Sequence, residues 1–525
     1  MKNNIKKIFL IILLTFSLIT TNAVALKVAK SSDINEEIIG PNPEKKKITQ
    51  LSEGEDLDPL VDLEVTVTIK EIRAFDKMDL FNDPDFYVKL IINEEEFTSD
   101  IWRNQKYVKE EWKKTVNVPD DVEFVNITIQ LWDSDLISDR LCDIASNNND
   151  NTNRRDITVY YSLKTGHWTG DDSISTPHSW EPDYSGYGRG NGCDDNSIYQ
   201  KDRDCEIWFD ISQNDKDGDG IPYWAEMNIF NKTGQCNPEV DDSKRDPDED
   251  GVPVGWEYKW GHYFDWHYNH RWLYHPFEWD DHKNLDPDAD SINNFEEYLT
   301  SNWRSDPFRD DVFVELDQMQ GTDEISASLL PEGSKDLMQD AFNRQNIVLH
   351  IDDGSWGDGS GSDMLPFDNT GDNTTRKELR DIYNNYFLHG DENNWRRGVF
   401  HYGLVVYNST FSGFAFRENA FQISRKYHEE KLNTPFIGDR DVVYASGYMH
   451  ELGHSLGLMW LLGHDTPGGY SPLHLLWWKC RAYKSVMNYG YMFGFIWDLV
   501  DFSDGSRGKN DFDDWSNIDY SYFEE

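Results

Sequence analysis

Alternating apolar and polar residues predict an antiparallel sheet in the first third of the chain. Strand-like runs occur at residues 63–69, 86–92 and 125–131, and polar, turn-forming residues separate them. Several short strands joined by turns favour two sheets packed face to face. We therefore predict an all-β sandwich at residues 59–211.

The pattern changes twice beyond the sandwich. Residues 212–302 combine aspartate-rich loops with short apolar runs, which predict a small array of loops and short helices. Residues 303–525 mix strand-like and helical runs, as an α+β domain does. The strand-like runs are 311–316, 347–351 and 400–407, and the helical run is 335–343. The chain is therefore predicted to be multidomain.

The N-terminus predicts export. Three lysines among the first seven residues precede an apolar run at 8–19, and the small residues Ala23 and Ala25 follow it. This pattern is typical of a signal peptide at residues 1–25, so the protein is expected to be secreted; an uncleaved segment would anchor it instead. No other apolar run is long enough to cross a membrane. Residues 26–58 are polar and predict a tail or a short propeptide.

The composition is strongly acidic. The chain has 97 acidic and 50 basic residues, a formal net charge of −47, which argues against a nucleic-acid partner because phosphate binding needs clustered cations. Its aromatic content of 14 % is too high for a disordered acidic polymer. The acidity has three interpretations, namely bound multivalent cations, a saline or acidic exterior, or solubility alone.

Three segments within residues 212–302 share the spacing D-x-D-x-D-[GS]-x5-E, which predicts calcium loops. Alternate residues of such a loop point inward, and a glutamate at position 12 closes the oxygen shell. The predicted Ca²⁺ ligands are Asp215, Asp217, Asp219 and Glu226, then Asp246, Asp248, Asp250 and Glu257, then Asp286, Asp288, Asp290 and Glu297. Ser291 replaces glycine at position 6 of the third loop, so this loop is expected to bind most weakly.

Two loops continue as Asp219-Gly220-Ile221-Pro222 and Asp250-Gly251-Val252-Pro253. Through these sequences the loops resemble thrombospondin type 3 and dockerin-like calcium repeats. The short apolar runs at 224–229, 256–260 and 295–302 predict helices too short for the groove of a calcium sensor. The resemblance implies a structural array stiffened by calcium.

The sandwich carries acidic loops of its own. The stretch around Asp83-Pro84-Asp85, together with Leu131-Trp132-Asp133-Ser134-Asp135, resembles a C2 domain over residues 60–145. A C2 domain implies calcium-dependent contact with a membrane surface or a protein. The alternative is that these aspartates only terminate strands and cap turns.

The candidate catalytic residues lie near the C-terminus, in the motif His450-Glu451-Leu452-Gly453-His454. On a helix, histidines four apart share one face and can bind one Zn²⁺ ion, while Glu451 lies beside them as the base for water.

The sequence Ser485-Val486-Met487-Asn488-Tyr489 follows that motif, and the two together resemble the metzincin metalloproteases over about residues 306–525. The resemblance implies His450 and His454 as zinc ligands, Glu451 as general base, Met487 as an apolar floor, and Tyr489 as a ligand or oxyanion donor. The place of the usual third ligand holds Trp460, which cannot bind zinc. His464 is the preferred substitute, and Asp465 and His474 remain alternatives.

The leading hypothesis is a secreted zinc endopeptidase that acts on a protein or peptide substrate and is stabilised by calcium. The alternative hypothesis, motivated by Trp460 and the acidic repeats, is a calcium-dependent extracellular binding or adhesion protein with an inactive protease domain.

Overall fold

The computed structural model describes fourteen stretches of the chain. They are residues 56–75, 78, 82–135, 138–145, 155–171, 188–193, 203–230, 234–264, 270–354, 361–368, 377–434, 437–459, 474–494 and 500–522. The predicted signal peptide at 1–25 lies outside them, as does nearly all of the polar segment after it. Across the described stretches, no helix is both long and apolar enough to span a membrane.

An antiparallel β-sandwich forms the N-terminal part, which confirms the prediction from the alternating pattern. Its strands are β1 (Glu64–Ala74), β2 (Phe86–Ile92), β3 (Glu95–Thr98), β4 (Tyr107–Val108), β5 (Trp112–Asn117), β6 (Phe124–Asp133), β7 (Arg140–Leu141), β8 (Ile157–Ser162), β9 (Trp168–Gly170), β10 (Gly188–Asn191) and β11 (Cys205–Gln213). One sheet has the order β10-β11-β1-β4 with β5 also paired to β1, and the other has the order β3-β2-β6-β8-β9 with β7 paired to β6.

The two sheets enclose a single apolar core because alternate residues of each strand face inward. In β6, Val125, Ile127, Ile129 and Leu131 are buried while their neighbours are more exposed. These side chains join buried residues of β1, β2, β8 and β11 in one cluster. The arrangement is consistent with a C2-like sandwich.

The segment after the sandwich consists of loops, short helices and one hairpin. Its elements are α1 (Tyr223–Ala225, continued by a π-helical turn at Glu226–Phe230), α2 (Val254–Gly261), β12 (His262–Phe264), β13 (His270–Trp272) and α3 (Asn294–Leu299). Small clusters of Ile221, Phe230 and Tyr258, and of Trp256 and Trp260, hold the segment together. Both clusters are small, so we expect the acidic loops to contribute to the order of the segment as well.

The C-terminal part is a mixed sheet covered by helices. Its elements are β14 (Asp311–Met319), α4 (Glu332–Arg344), β15 (Val348–Asp352), β16 (Met364–Leu365), α5 (Lys377–Ile382), β17 (Phe400–Val406), β18 (Gly413–Arg417), β19 (Ala420–Ser424), α6 (Arg425–Lys431), α7 (Arg440–Ser455) and α8 (Leu475–Cys480). The strand order is β15-β14-β17-β19-β18, and every pairing along it is parallel except that of β18 with β19. The sheet thus ends in an antiparallel edge strand, β18.

A buried polar cluster joins the sandwich to helix α4. Asp340 accepts hydrogen bonds from the hydroxyl of Tyr107 at 2.6 Å and from Nζ of Lys106 at 2.8 Å, and Arg73 lies 3.4 Å from its other oxygen. Burial alone would raise the pKa of Asp340, but the charges of Lys106 and Arg73 outweigh it and lower that pKa. The sandwich and the C-terminal part therefore meet through a charged contact in which Asp340 is paired with Tyr107, Lys106 and Arg73.

Candidate functional site

The two histidines of the HExxH motif lie one turn apart on helix α7, and backbone carbonyls orient their rings. The Nδ1 atom of His450 is 2.8 Å from the carbonyl oxygen of Val486, and that of His454 is 3.0 Å from the carbonyl oxygen of Leu458. A ring that donates Nδ1–H to a carbonyl carries its lone pair on Nε2, the usual arrangement for a metal ligand. The ring centroids are 4.9 Å apart. This donor pair fits one shared zinc ion.

The C-terminal cap of helix α7 supplies the carbonyl that orients His454. Gly457 adopts a φ of +78°, which reverses the chain, and the N–H of Leu458 then donates to the carbonyl of Gly453 at 2.9 Å. The same reversal brings the carbonyl of Leu458 back to the ring of His454. The glycine is therefore part of what fixes the histidine.

A tight turn at residues 485–489 passes beneath helix α7. Met487 is fully buried, and a Cβ atom added at Gly453 would lie only 2.6 Å from its sulfur, so the turn packs directly against the helix backbone. The N–H of Met487 donates to Oγ of Ser485 at 3.0 Å, which fixes the turn. Its last residue, Tyr489, places its ring 5.4 Å from that of His450. The turn thus brings both predicted residues, Met487 and Tyr489, to the histidines.

Glu451 faces the edge strand of the sheet. The side chain is 4 % exposed, and a Cβ atom added at Gly413 would lie 2.5 Å from its Oε1 atom. Because Gly413 opens β18, the carboxylate lies beside the edge where an extended chain could pair. A carboxylate next to two histidines and a strand edge suits a general base in peptide hydrolysis.

The described part of the chain does not identify a third zinc ligand beside His450 and His454. His464 and Asp465 lie in residues 460–473, outside the described residues, as does Trp460. His474 is exposed and caps helix α8, where its Nδ1 accepts the N–H of Leu476 at 3.2 Å. Within the described stretches, His474 does not join His450 and His454 in a metal-binding group.

The three acidic loops fold alike. In each loop the first aspartate accepts two backbone N–H groups, and the three aspartates bring one oxygen each within 4.8 Å of one another. The accepted groups are those of Gly218 and Gly220 for Asp215, of Glu249 and Gly251 for Asp246, and of Ala289 and Ser291 for Asp286. Three converging carboxylates offer a calcium ion half of its oxygen shell.

A buried glutamate closes each loop, as the spacing predicts. Glu226, Glu257 and Glu297 are almost inaccessible to solvent, and Glu257 and Glu297 have carboxylate oxygens without any hydrogen-bond partner among the described residues. Burial raises the pKa of Glu226 to about 9 and that of Glu257 to about 7, and it raises the pKa of Glu297 as well. A carboxylate buried in this way stays ionised at neutral pH only with a cation nearby.

A second acidic repeat supports the first and was not predicted. The fifth position of each loop accepts the N–H of an aspartate 21 to 30 residues later. The pairs are Asp219 with Asp242 at 3.2 Å, Asp250 with Asp280 at 3.2 Å, and Asp290 with Asp311 at 2.7 Å. Each later aspartate in turn accepts the N–H of the residue before a proline, which is Asn237, His275 or Asp306. The X-Pro-x-x-x-Asp spacing, which recurs at residues 237–242, 275–280 and 306–311, could have predicted this second repeat.

The aspartates of the sandwich, unlike those of the three loops, are paired with side chains of the protein. Arg140 on β7 binds Asp133 through Nη2 at 2.7 Å and also pairs with Asp135, while Asp139 accepts the hydroxyl of Tyr87 at 2.8 Å. A guanidinium thus lies among the carboxylates that the C2 resemblance offers to calcium. Residues 76 and 79 lie outside the described residues, and the candidate metal-binding groups of the described part all belong to residues 215–290.

No protein-family profile matches this chain, and no curated protein matches it. Solved structures that match include a C2 domain of a plant extended synaptotagmin 1, at 14% identity over 29% of this chain and 94% of that one, with a TM-score of 0.17. Another is a C2 domain at 12% identity, over 29% and 98% of the two chains, with a TM-score of 0.17. At these values the likeness carries no argument about what this chain binds.

A human GIVD cytosolic phospholipase A2 in complex with an inhibitor also matches, at 13% identity and a TM-score of 0.16. The match covers 29% of this chain and only 17% of the phospholipase.

Replacing Ser291 with glycine is expected to stabilise the third loop by about 1 kcal/mol. Ser291 has a φ of +72°, which is costly for any residue with a Cβ atom. The reverse change, Gly220→Ser, affects the same position of the first loop, where φ is +83° and nothing lies within 4 Å of a Cβ atom. Its cost is therefore conformational only. In saturating calcium, the midpoint of urea denaturation should rise for Ser291→Gly and fall for Gly220→Ser. A Ser291→Gly protein that is less stable than wild type would contradict this expectation.

Proposed function

We propose that the protein is a zinc-dependent endopeptidase. The observation that supports this most directly is the pair of carbonyl-oriented histidines, His450 and His454, with the buried carboxylate of Glu451 between them on helix α7. Solvated surface histidines would need neither the backbone carbonyls nor the glycine cap. The fixed rings therefore favour a metal centre over a merely polar helix face.

The roles of the residues follow from their positions. Zinc bound to His450 and His454 would supply Lewis acidity toward a peptide carbonyl and lower the pKa of a coordinated water. Glu451 takes the proton of the attacking water and returns it to the leaving amine. Tyr489, whose ring lies beside that of His450, donates a hydrogen bond to the developing oxyanion. His464 stays the preferred third ligand from the sequence.

The edge strand β18 suits an extended peptide. Among the described strands it pairs only with β19, so its other side offers backbone donors and acceptors to a chain laid alongside it. Gly413, which opens β18, is in contact with Glu451. A peptide paired there in β conformation would pass close to the base. This geometry favours an endopeptidase over a hydrolase of small molecules.

Calcium in the first and third acidic loops is proposed to stiffen the segment between the sandwich and the C-terminal part. Asp290 of the third loop accepts the backbone N–H of Asp311, the first residue of the interior strand β14. An ion in that loop would therefore order the start of the sheet that supports helix α7. Secretion, which rests on residues 1–25, stays a prediction.

The test is metal analysis combined with proteolysis by the purified full-length protein. We expect about one zinc ion at the HExxH site and hydrolysis of casein. A zinc chelator applied in excess calcium should abolish this activity, and added zinc should restore it. A protein that holds no zinc at this site and cleaves nothing in calcium would refute the proposal.

That outcome would favour the second candidate, a calcium-dependent binding or adhesion protein with an inactive protease domain. The observation in its favour is the extent of the acidic array, three loops with buried closing glutamates, together with the C2-like sandwich. The presence of Arg140 among the sandwich aspartates counts against calcium-dependent contact through that sandwich. Binding to lipid vesicles or cells that requires calcium and survives Glu451→Gln would support this candidate.

A further inference from the structure

The second acidic loop differs from the other two by a buried histidine. The Nε2 atom of His282 lies 3.2 Å from Oδ2 of Asp250 and 3.5 Å from Oε1 of Glu257. The three side chains converge so that their ligand atoms all lie within 4.8 Å of one another. His282 and Glu257 are at most 1 % exposed, so water cannot satisfy them. The cluster is thus a closed site with one nitrogen and two carboxylates.

The polar atoms of this cluster lack ordinary partners. His282 lies within ion-pair distance of Asp250 and Glu257, but these contacts are not well-formed hydrogen bonds. The described residues give no other partner to Nε2 of His282, to either carboxylate oxygen of Glu257, or to either carboxylate oxygen of Asp248 in the same loop. Buried polar atoms left in this condition cost free energy unless a ligand completes them. The cluster therefore points to an ion rather than to a hydrogen-bonded core.

The surrounding residues fix the ring of His282. Trp256 and Tyr274 contact it edge-on, with centroids at 5.7 Å and 5.1 Å. The Nδ2 atom of Asn294 lies 3.2 Å from Nδ1, and Oδ1 of the same amide has no hydrogen-bond partner in the described part of the chain. Turning this amide over places Oδ1 against Nδ1–H, and the ring then presents its Nε2 lone pair to the two carboxylates, as metal-ligating histidines do.

The other two loops lack this nitrogen and serve as internal references. His282 stands two residues after Asp280, the aspartate whose N–H binds the second loop. The equivalent positions two residues after Asp242 and Asp311 hold Lys244 and Phe313. Neither side chain is a metal ligand at neutral pH. The nitrogen donor is therefore specific to the second loop.

We propose that the second loop binds a divalent transition-metal ion of the zinc class through Asp250, Glu257 and His282, in place of the calcium that its spacing predicts. Calcium prefers an all-oxygen shell, whereas an imidazole with two carboxylates suits zinc and its neighbours. Ligand atoms around a tetrahedral ion with bonds near 2.0–2.1 Å are about 3.3 Å apart. The separations of 3.2 Å and 3.5 Å from Nε2 match this value. Asp248, which groups with Asp250 within 4.8 Å, is the candidate for a fourth ligand.

The test uses Co²⁺ as a spectroscopic probe for zinc in the full-length protein with excess calcium present. The double variant His450→Gln/His454→Gln removes the HExxH site, so that its metal does not obscure the result. We expect this protein to bind about one Co²⁺ and to show visible absorption. Adding His282→Asn should weaken Co²⁺ binding at least tenfold, within or above the roughly 10–100-fold range for second-shell losses.

The matched control is His275→Asn, made in the same background. It places asparagine where the first repeat already has Asn237, whose side chain accepts a backbone N–H just as Nδ1 of His275 does. Co²⁺ binding should be unchanged in this variant.

Zinc X-ray absorption on the double variant, without any change at His282, guards against misfolding of the histidine variant. One imidazole among oxygen ligands is expected. An all-oxygen shell, an absence of Co²⁺ binding once calcium is saturating, or equal binding by His282→Asn would each overturn the proposal. The last two outcomes would identify His282 as an ion-pair partner of Asp250 and Glu257.

Discussion

Glu451→Gln is expected to lower kcat/KM for peptide hydrolysis by roughly 10²–10⁴-fold while zinc stays bound. Glutamine keeps the shape of the side chain that packs against Gly413, so the fold and the edge strand are preserved. It cannot accept the proton of the attacking water, because its amide is not basic at neutral pH. The two histidines are untouched, and the carbonyls of Val486 and Leu458 still orient them.

The measurement pairs initial rates of peptide cleavage with zinc content for each variant. Glu430→Gln is the matched control, because Glu430 is an exposed glutamate on the neighbouring helix α6 and its loss should leave the rate unchanged. The pH profile adds a second readout, since the acidic limb of kcat/KM should disappear from whatever activity remains in Glu451→Gln. Equal rates in wild type and Glu451→Gln would remove this residue from the mechanism.

Local patterns predicted what depends on local geometry. The alternation in β6 predicts which side chains enter the sandwich core, and Val125, Ile127 and Leu131 are indeed buried. The loop spacing predicts where Asp215 and Glu226 lie, because four ligands within twelve residues are brought together by one turn and one short helix. Periodicity alone did not predict the parallel pairing of β14 with β15 and β17, since buried strands of a parallel sheet read as continuous apolar runs.

The sequence patterns did not predict contacts between segments that are far apart in the chain. His282 follows Glu257 by 25 residues, and the hairpin of β12 and β13 lies between them, so no spacing rule links the two. Arg140 is a similar case. Arg140 lies next to Asp133 and Asp135 because β7 pairs with β6. No sequence motif predicts this pairing. Both residues change which cation an acidic cluster can hold, so the C2 and loop motifs overstate how uniform these sites are.

Removing calcium is expected to destabilise the protein strongly, by about 4 kcal/mol for each ion that was present at a thousandfold excess over its Kd. The reason is the buried closing glutamates. Without an ion, Glu226 and Glu297 lie away from water beside the aspartates of their loops, so ionising them in the folded state costs free energy. Two ions together give about 8 kcal/mol, so thermal unfolding in calcium and in EGTA should differ by roughly 7 °C for a protein of this size.

The pH dependence of this difference gives the sharper test. Burial, reinforced by Asp219, raises the pKa of Glu226 from 4.5 to about 9 in the calcium-free fold. The folded state then binds more protons than the unfolded chain, so its stability is fully present below about pH 4.5 and is lost as the pH rises toward 9. The EGTA-treated protein should therefore melt at a lower temperature near pH 8 than near pH 6, and the gain from calcium should widen over the same interval.

A neutral isostere separates this cause from a general charge effect. Glu226→Gln should melt higher than wild type in EGTA near pH 8 and should respond less to calcium, because the buried charge is gone. Glu239→Gln, an exposed glutamate in the same segment, should behave as wild type does. A calcium-free protein that becomes more stable as the pH rises through this interval would show that the closing glutamates do not carry unpaired charge in the fold. The array would then be ordered by its apolar clusters around Phe230 and Trp256 rather than by its ions.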